Sequence, residues 1–315
     1  MASAVSNNNN NNNNTALQQP AVAKLRALLV DRNNIIVCPG VYDGFTARIA
    51  LRQGFDCLYM TGAGTTMSRL GMPDLGVATL NDMRDNAAMI AGLDPSVPLI
   101  ADADTGYGGP LIVGRTVTQY MRAGVAALHL EDQVVTKRCG HLRNKELVPE
   151  EEFLSRIRAA VNARAQRPGD IVLIARTDAL ESLGYDAAVG RLKKALELGA
   201  DVAFLEGVTS KEQAKRVCED LAPHPVLFNA VPGGVSPDLS VSEAKELGFR
   251  IIIFPGLALG PVYEAVSNAV KQLKESGTQA PAKEGSVRDI FTVCGLREAV
   301  AFDIAAGGGL YSKGV

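Results

Sequence analysis

The sequence predicts a single (β/α)8 barrel, and three features carry that expectation: eight short apolar runs, helical patterns between them, and a glycine at the same place before every second run. The runs occupy residues 35–41, 57–60, 98–103, 126–130, 171–175, 202–205, 226–228 and 251–254. They are continuous rather than alternating, as expected of parallel strands covered on both faces. Before the second, fourth, sixth and eighth runs a helix end meets a glycine: Arg52-Gln53-Gly54, Arg122-Ala123-Gly124, Glu197-Leu198-Gly199 and Glu246-Leu247-Gly248. Glycine just past a helix adopts the left-handed conformation that closes it. Between the fourth and fifth runs, Phe153, Leu154, Ile157, Ala160 and Val161 recur near a 3.6 spacing behind acidic Glu150, Glu151 and Glu152, which suit a helix N-terminus. Residues 185–198 and 210–221 follow the same pattern. Eight alternations of this kind point to a barrel. The alternative, an open doubly wound sheet, lacks its G-x-G-x-x-G fingerprint, because Pro39-Gly40-Val41-Tyr42-Asp43-Gly44 follows a different pattern.

Two segments lie outside the eight units. Residues 7–14 are an unbroken Asn tract, so residues 1–20 are expected to form a disordered tail ahead of one barrel domain, 21–315. Residues 286–305 form a further amphipathic segment with Ile290, Val293, Leu296, Val300 and Phe302 as its apolar positions. No strand precedes it, so it is expected to pack on the barrel or on another subunit.

Composition narrows the function. The chain has 315 residues, 47% of them apolar, enough for one large core. Its net charge of −2 with interspersed signs offers no basic stripe for nucleic acid. No apolar run approaches the ~18 residues of a membrane span, and the N-terminus has no signal-peptide pattern. Five cysteines without a C-x-x-C pair suggest neither a disulfide framework nor a zinc ribbon, and fit a reducing compartment. A cytoplasmic enzyme is expected, with mitochondria and peroxisomes left open. Three histidines without H-x-H or H-E-x-x-H spacing argue against a histidine zinc site. Any metal should be held by carboxylates, which favours Mg²⁺ or Mn²⁺.

Catalysis in such a barrel gathers at the C-terminal ends of the strands. Polar or permissive residues follow six of the runs: Thr61-Gly62-Ala63-Gly64, Asp102 with Asp104, Glu131-Asp132, Arg176-Thr177-Asp178, Glu206 and Asn229. Asp102, Asp104 and Glu131 would repel one another unpaired, and a divalent cation removes that conflict. The plainer alternative is that Asp104 caps a turn with Thr105 and Gly106 while Asp102 pairs with a basic residue. Arg176 has the fork to grip a carboxylate, or to pair with Asp178. The backbone of Thr61-Gly62-Ala63-Gly64 offers N–H groups to an anion, or makes a tight turn. Gly233-Gly234 reads as a lid or an ordinary loop. Lys137-Arg138-Cys139-Gly140-His141 places a thiol beside basic residues, which favours its thiolate and suits it to proton transfer. The plainer reading is a packed cysteine beside a solvated charge cluster. Taken together, these residues describe a site for a small dicarboxylate bound to Mg²⁺.

The motifs Tyr59-Met60-Thr61-Gly62-Ala63-Gly64, Pro73-Asp74-Leu75-Gly76, Asp102-Ala103-Asp104-Thr105-Gly106-Tyr107-Gly108, Glu131-Asp132-Gln133, Lys137-Arg138-Cys139-Gly140-His141 and Ala175-Arg176-Thr177-Asp178 resemble those of the isocitrate lyase/phosphoenolpyruvate mutase superfamily. The resemblance runs from about Cys38 to Pro261. The cysteine motif points to the branch that cleaves carbon–carbon bonds, because phosphonate mutases of the family lack it. The resemblance implies Asp102 as the direct Mg²⁺ ligand, with Asp74, Asp104 and Glu131 nearby or acting through water. It implies that Thr61, Gly62 and Ala63 hold the 2-oxo acid carboxylate, and that Arg176, Glu206 and Asn229 complete the pocket with Tyr59 and Pro255. Cys139 would protonate the departing enolate, with Lys137 beside it, and Gly140 and His141 would bind the second carboxylate. Dimers and tetramers that exchange their last helices are implied as well, with residues 286–305 as the exchanged element. The nearest subgroups are 2,3-dimethylmalate lyases, methylisocitrate lyases, the petal death protein and oxaloacetate acetylhydrolases. Two departures bear on the substrate. Oxaloacetate hydrolases carry Ser after Phe on the eighth strand, where this chain has Phe254-Pro255, and relatives usually carry an acid where Pro232 stands. An alkylmalate lyase is therefore expected, ahead of an oxaloacetate hydrolase, a phosphonopyruvate-processing enzyme or a non-catalytic acid-binding barrel.

Overall fold

The computed structural model describes residues 20–140, 142–279 and 287–312. Every apolar run coincides with a strand, which in three cases extends one or two residues past it: β1 (Ile36–Val41), β2 (Leu58–Met60), β3 (Leu99–Asp102), β4 (Ala127–Glu131), β5 (Val172–Thr177), β6 (Val202–Leu205), β7 (Val226–Asn229) and β8 (Ile251–Phe254). Each pairs with the next in parallel, and β1 pairs with β8, so the sheet closes. The register sets Glu131 opposite Arg176 at the upper end of β4 and β5. Helices between the strands cover the outside. Gly54, Gly124, Gly199 and Gly248 all have positive φ, so the repeated glycine closes the preceding helix as expected.

The sequence did not reveal what Ala21–Val30 does. This helix plugs the N-terminal mouth of the barrel. Leu25 is fully buried in one cluster with Ile36, Cys38, Ile100, Val172, Phe204 and Ile251, which fill the barrel interior. Arg26 fastens the helix by ion pairs to Asp170 and Asp201, and Arg250 donates to the Leu28, Leu29 and Asp31 carbonyls. With the floor closed, the open end is the rim formed by the strands' C-terminal ends.

The amphipathic segment near the C-terminus is two helices, Val287–Val293 and Leu296–Ala305, because Gly295 (φ 86°) breaks it. Ser286 lies outside the described residues, as does the Asn tract. Leu259–Ser276 follows β8, yet neither it nor the two later helices buries a residue. Val262, Val266, Val270 and Leu273 on the long helix, and Phe291 and Phe302 beyond it, stay exposed. Val287–Val293 touches the helix Gly44–Arg52 of this chain's barrel.

Candidate active site

The C-terminal ends of β2, β3, β5, β6, β7 and β8 converge at the rim. β3 ends in Asp102, whose Oδ1 accepts from the Asp104 N–H at 2.8 Å. Asp104 has φ 47°, a left-handed conformation that a non-glycine residue enters at a cost and that recurs at functional sites. Gly62 opens the helix Gly62–Leu70, capped by the Thr61 hydroxyl, and presents that helix's positive end to Asp102. A Cβ on Gly62 would stand 2.8 Å from Asp102 Cγ, so only glycine lets the two approach.

The loop after β4 folds over this end. The Gln133 side chain brackets Arg138, donating to its carbonyl at 3.0 Å and accepting from its N–H at 3.0 Å. The Cys139 N–H donates to the Asp74 carbonyl at 3.2 Å. Gly76, with φ 71°, lies so close to Val135 that a Cβ would sit 2.7 Å from its carbonyl oxygen. The Pro73–Gly76 motif and the cysteine motif are therefore packed together. Gly140 sits where a Cβ would be 3.0 Å from Glu206 Cδ and closer still to Arg176.

The result is a cavity of about 240 Å³ lined by Tyr59, Thr61, Ala63, Asp74, Asp102, Cys139, Gly140, Arg176, Glu206, Asn229 and Pro255, with Met67, Val231, Gly256 and Leu259 as its apolar wall. Residues expected at the site from distant parts of the sequence thus meet at one mouth. Asn229 donates to Glu206 at 3.0 Å. His141 lies outside the described residues.

Lys137, Asp104, Glu131 and Arg176, all expected at the site, have ion-pair partners in the structure. Lys137 does not line the cavity. It is buried behind it, with Nζ 2.6 Å from Asp74 and 2.5 Å from Asp104, because two buried carboxylates hold an ammonium more strongly than a neighbouring thiol does. Asp104 and Glu131 do not line it either. Asp104 goes to Lys137 and Glu131 to Arg176, 3.2 Å away, and no group of three His, Cys, Asp or Glu side chains placed to hold a metal occurs among the described residues. Arg176 lines the cavity, but Asp178 takes two prongs of its fork at 3.0 and 3.1 Å.

Charge is unevenly shared. Asp74, Asp102, Asp104, Glu131, Asp178 and Glu206 face Lys137, Lys145 and Arg176, so acids outnumber bases by two to one. Burial pushes the Asp102 and Glu131 carboxyls up, against the pull of Lys137 and Arg176. It pushes Asp104 up to about 7, helped by Asp102 and Asp74. Burial alone would discharge Lys137, but Asp104, Glu131, Asp102 and Asp74 keep it charged. Asp178, although buried, is held below the usual carboxylate range by Arg176 and Lys145. Surplus negative charge and hard oxygen donors around Asp102 suit a divalent cation with one direct carboxylate and water for the remainder.

The role of His129 and the partners of Asp132 were not legible in the sequence. His129 is buried in β4, 2.8 Å from the Tyr59 hydroxyl through Nε2 and 3.6 Å from Asp102 Oδ1 through Nδ1. Burial, with Arg176 and Lys137 nearby, keeps its ring neutral. The available signal was a histidine inside an otherwise apolar run. Asp132 accepts from the Thr177 hydroxyl, the Asp178 N–H and Arg191, bracing the end of β5.

The phosphoenolpyruvate phosphomutase family model matches residues 25–274. A solved structure of 2,3-dimethylmalate lyase is 55% identical with a TM-score of 0.92, covering 94% of this chain and 98% of that one. An oxaloacetate acetylhydrolase bound to 3,3-difluorooxalacetate is 54% identical with a TM-score of 0.90, covering 92% and 98%. The 2,3-dimethylmalate lyase of Eubacterium barkeri is 42% identical over 260 residues, 82% of this chain and 88% of that protein. A more distant solved structure, a phosphonopyruvate hydrolase with oxalate and Mg²⁺, is 27% identical with a TM-score of 0.80, covering 90% and 98%. With its closed barrel, its rim of carboxylates and the cysteine in its cavity, the chain belongs to the isocitrate lyase/phosphoenolpyruvate mutase superfamily and to the carbon–carbon lyases within it.

Proposed function

We propose that this enzyme cleaves a 2-hydroxy dicarboxylate of the alkylmalate type, such as 2,3-dimethylmalate or methylisocitrate, into a 2-oxo acid and a carboxylic acid. The observation that carries this reading is the shared cavity: Cys139 and Asp102 line the same small space, with Arg176 from β5 and Glu206 just past β6. Asp102 would hold Mg²⁺ directly, or Mn²⁺ in its place, with Asp74, Asp104 and Glu131 acting through water. When bound, the cation offsets the charge of the 2-alkoxide and of the 2-oxo acid that forms.

The chain's own residues account for the remaining steps. Thr61, Gly62 and Ala63 at a helix N-terminus hold the carboxylate next to the hydroxyl carbon, Gly62 and Ala63 through their N–H groups and Thr61 through its hydroxyl, because its N–H donates to the Val41 carbonyl. Arg176, Glu206, Asn229 and Tyr59 fix the chain of the substrate, and Gly140 with His141 takes the second carboxylate. The hydroxyl proton passes to a rim carboxylate as the C2–C3 bond breaks. The electron pair of that bond moves onto the departing acid as its enolate, and Cys139 delivers its thiol proton to that carbon. Lys137 acts from behind the cavity by holding Asp74 and Asp104 in place.

The oxaloacetate acetylhydrolase reading has a specific observation in its favour, the 54% identity of that structure, which almost equals the 55% of the lyase. Pro255 in the cavity wall favours the lyase, because no hydroxyl is offered there. Incubating the purified enzyme and Mg²⁺ with 2,3-dimethylmalate and, separately, with oxaloacetate decides between them. The proposal expects pyruvate from the first. Oxalate from the second at a comparable rate overturns it, and no turnover of any malate derivative would leave an acid-binding barrel.

We also propose a homo-oligomer, a dimer of dimers, in which the exposed apolar faces of Leu259–Ser276, Val287–Val293 and Leu296–Ala305 lie on a second copy. No helix among the described residues is long and apolar enough to cross a membrane. No disulfide occurs among the described cysteines, which fits the cytoplasm.

A further inference from the structure

Lys145 stands outside every motif that marks the site, yet it ties the site together. It lies beyond the cysteine motif in sequence and folds back beneath it. Its Nζ donates to the Gly140 carbonyl at 2.6 Å. The same ammonium is 3.4 Å from Asp178 Oδ1 and 3.8 Å from Glu181 Oε2, and only 6% of its side chain is exposed. Asp178 in turn holds the fork of Arg176. Gly140 rests directly on Arg176 and Glu206 with no room for a side chain. One buried cation therefore joins the loop that carries Cys139 to the strand end that carries Arg176.

We infer that Lys145 is a positioning residue: it pins the Gly140 carbonyl to the end of β5 and so fixes where the adjacent Cys139 meets the substrate. The inference rests on the reading of Cys139 as the proton donor. Other bonds hold the loop, including Cys139 N–H to the Asp74 carbonyl and Leu142 N–H to the Cys139 carbonyl. These run toward the Pro73–Gly76 side or within the loop, whereas Lys145 ties it to β5.

Lys145→Met keeps the stem and removes the donor. Lys145→Arg keeps the charge and a donor, and Lys145→Gln keeps a donor without the charge. Two readouts apply. Hydrogen exchange of residues 136–146 reports loop order without any need for turnover. Steady-state kinetics with 2,3-dimethylmalate and Mg²⁺ report catalysis. The Met variant should exchange the Cys139 and Leu142 amides about tenfold faster and lose about tenfold in kcat, the size of one charge-assisted hydrogen bond, while KM moves less than threefold. Arg should recover most of both effects. Unchanged exchange in the Met variant overturns the inference, as does a loss confined to KM. If the Met variant does not fold, the Gln variant decides, with faster exchange supporting the inference and parental exchange overturning it. If the parent enzyme itself leaves 2,3-dimethylmalate intact, the proposed activity fails, and the exchange result still judges Lys145.

Discussion

Gly62→Ala is the sharpest perturbation of the Asp102 environment. The added methyl would stand 2.8 Å from Asp102 Cγ and nearer to Oδ2. Ordinary contact for such atoms begins at about 3.5 Å, so the carboxylate must retreat by on the order of 1 Å. It cannot do so freely, because Oδ1 accepts from the Asp104 N–H at 2.8 Å and Asp102 is buried. A misplacement of that size at a reacting centre costs up to about 10²-fold in rate, and disturbing a metal ligand's support weakens affinity by about 10–100-fold. Stability should change far less, since overpacking by one methyl costs about 1–3 kcal/mol and replacing glycine in a helix gives part of that back. The assay is a Mg²⁺ titration of turnover beside calorimetric Mg²⁺ binding and a thermal melt. Gly92→Ala serves as control, because a Cβ there meets nothing within 4 Å. Weaker Mg²⁺ binding by about tenfold or more, with a melting temperature within about 5 °C of the parent, is expected. Parental Mg²⁺ affinity and rate in a folded Gly62→Ala enzyme would refute the assignment of Asp102.

Other outcomes follow from burial and charge. Leu25→Ala should destabilise the barrel floor by about 2–5 kcal/mol in urea unfolding without altering KM, since Leu25 is fully buried far from the rim. Arg191→Met leaves Asp132 buried without its cation, so a loss of about 3–5 kcal/mol is expected in the same assay. In the metal-free protein the folded Asp104 carboxyl is raised from 3.8 to about 7, so its contribution is greatest below pH 4 and is lost as pH rises through 7. Asp104→Asn should therefore gain in melting temperature relative to the parent between pH 5 and pH 8. A difference that stays flat across that range contradicts the assignment.

The barrel was legible because a buried parallel strand leaves a local trace, a short apolar run, and each helix end leaves a glycine. Asp102, Arg176, Glu206 and Asn229 were legible because they end such runs. What escaped were relations across long sequence distances. Lys137 sits among basic neighbours in sequence, but its partners Asp74 and Asp104 come from the second and third units, and only the closed barrel brings them within reach. Arg191 lies on an otherwise apolar helix face for the sake of Asp132, a distance of 59 residues. Ala21–Val30 reads as any short helix, and its role as the barrel floor depends on which mouth it enters. Asp104 was not read as the partner of Lys137, because no local spacing records an ion pair.

The most direct test compares Cys139→Ser with the parent enzyme on 2,3-dimethylmalate and Mg²⁺, following pyruvate. A thiol that delivers the proton predicts a loss of about 10²-fold or more in kcat, with Mg²⁺ binding and melting temperature unchanged. Release of pyruvate by Cys139→Ser at the parental rate would contradict it.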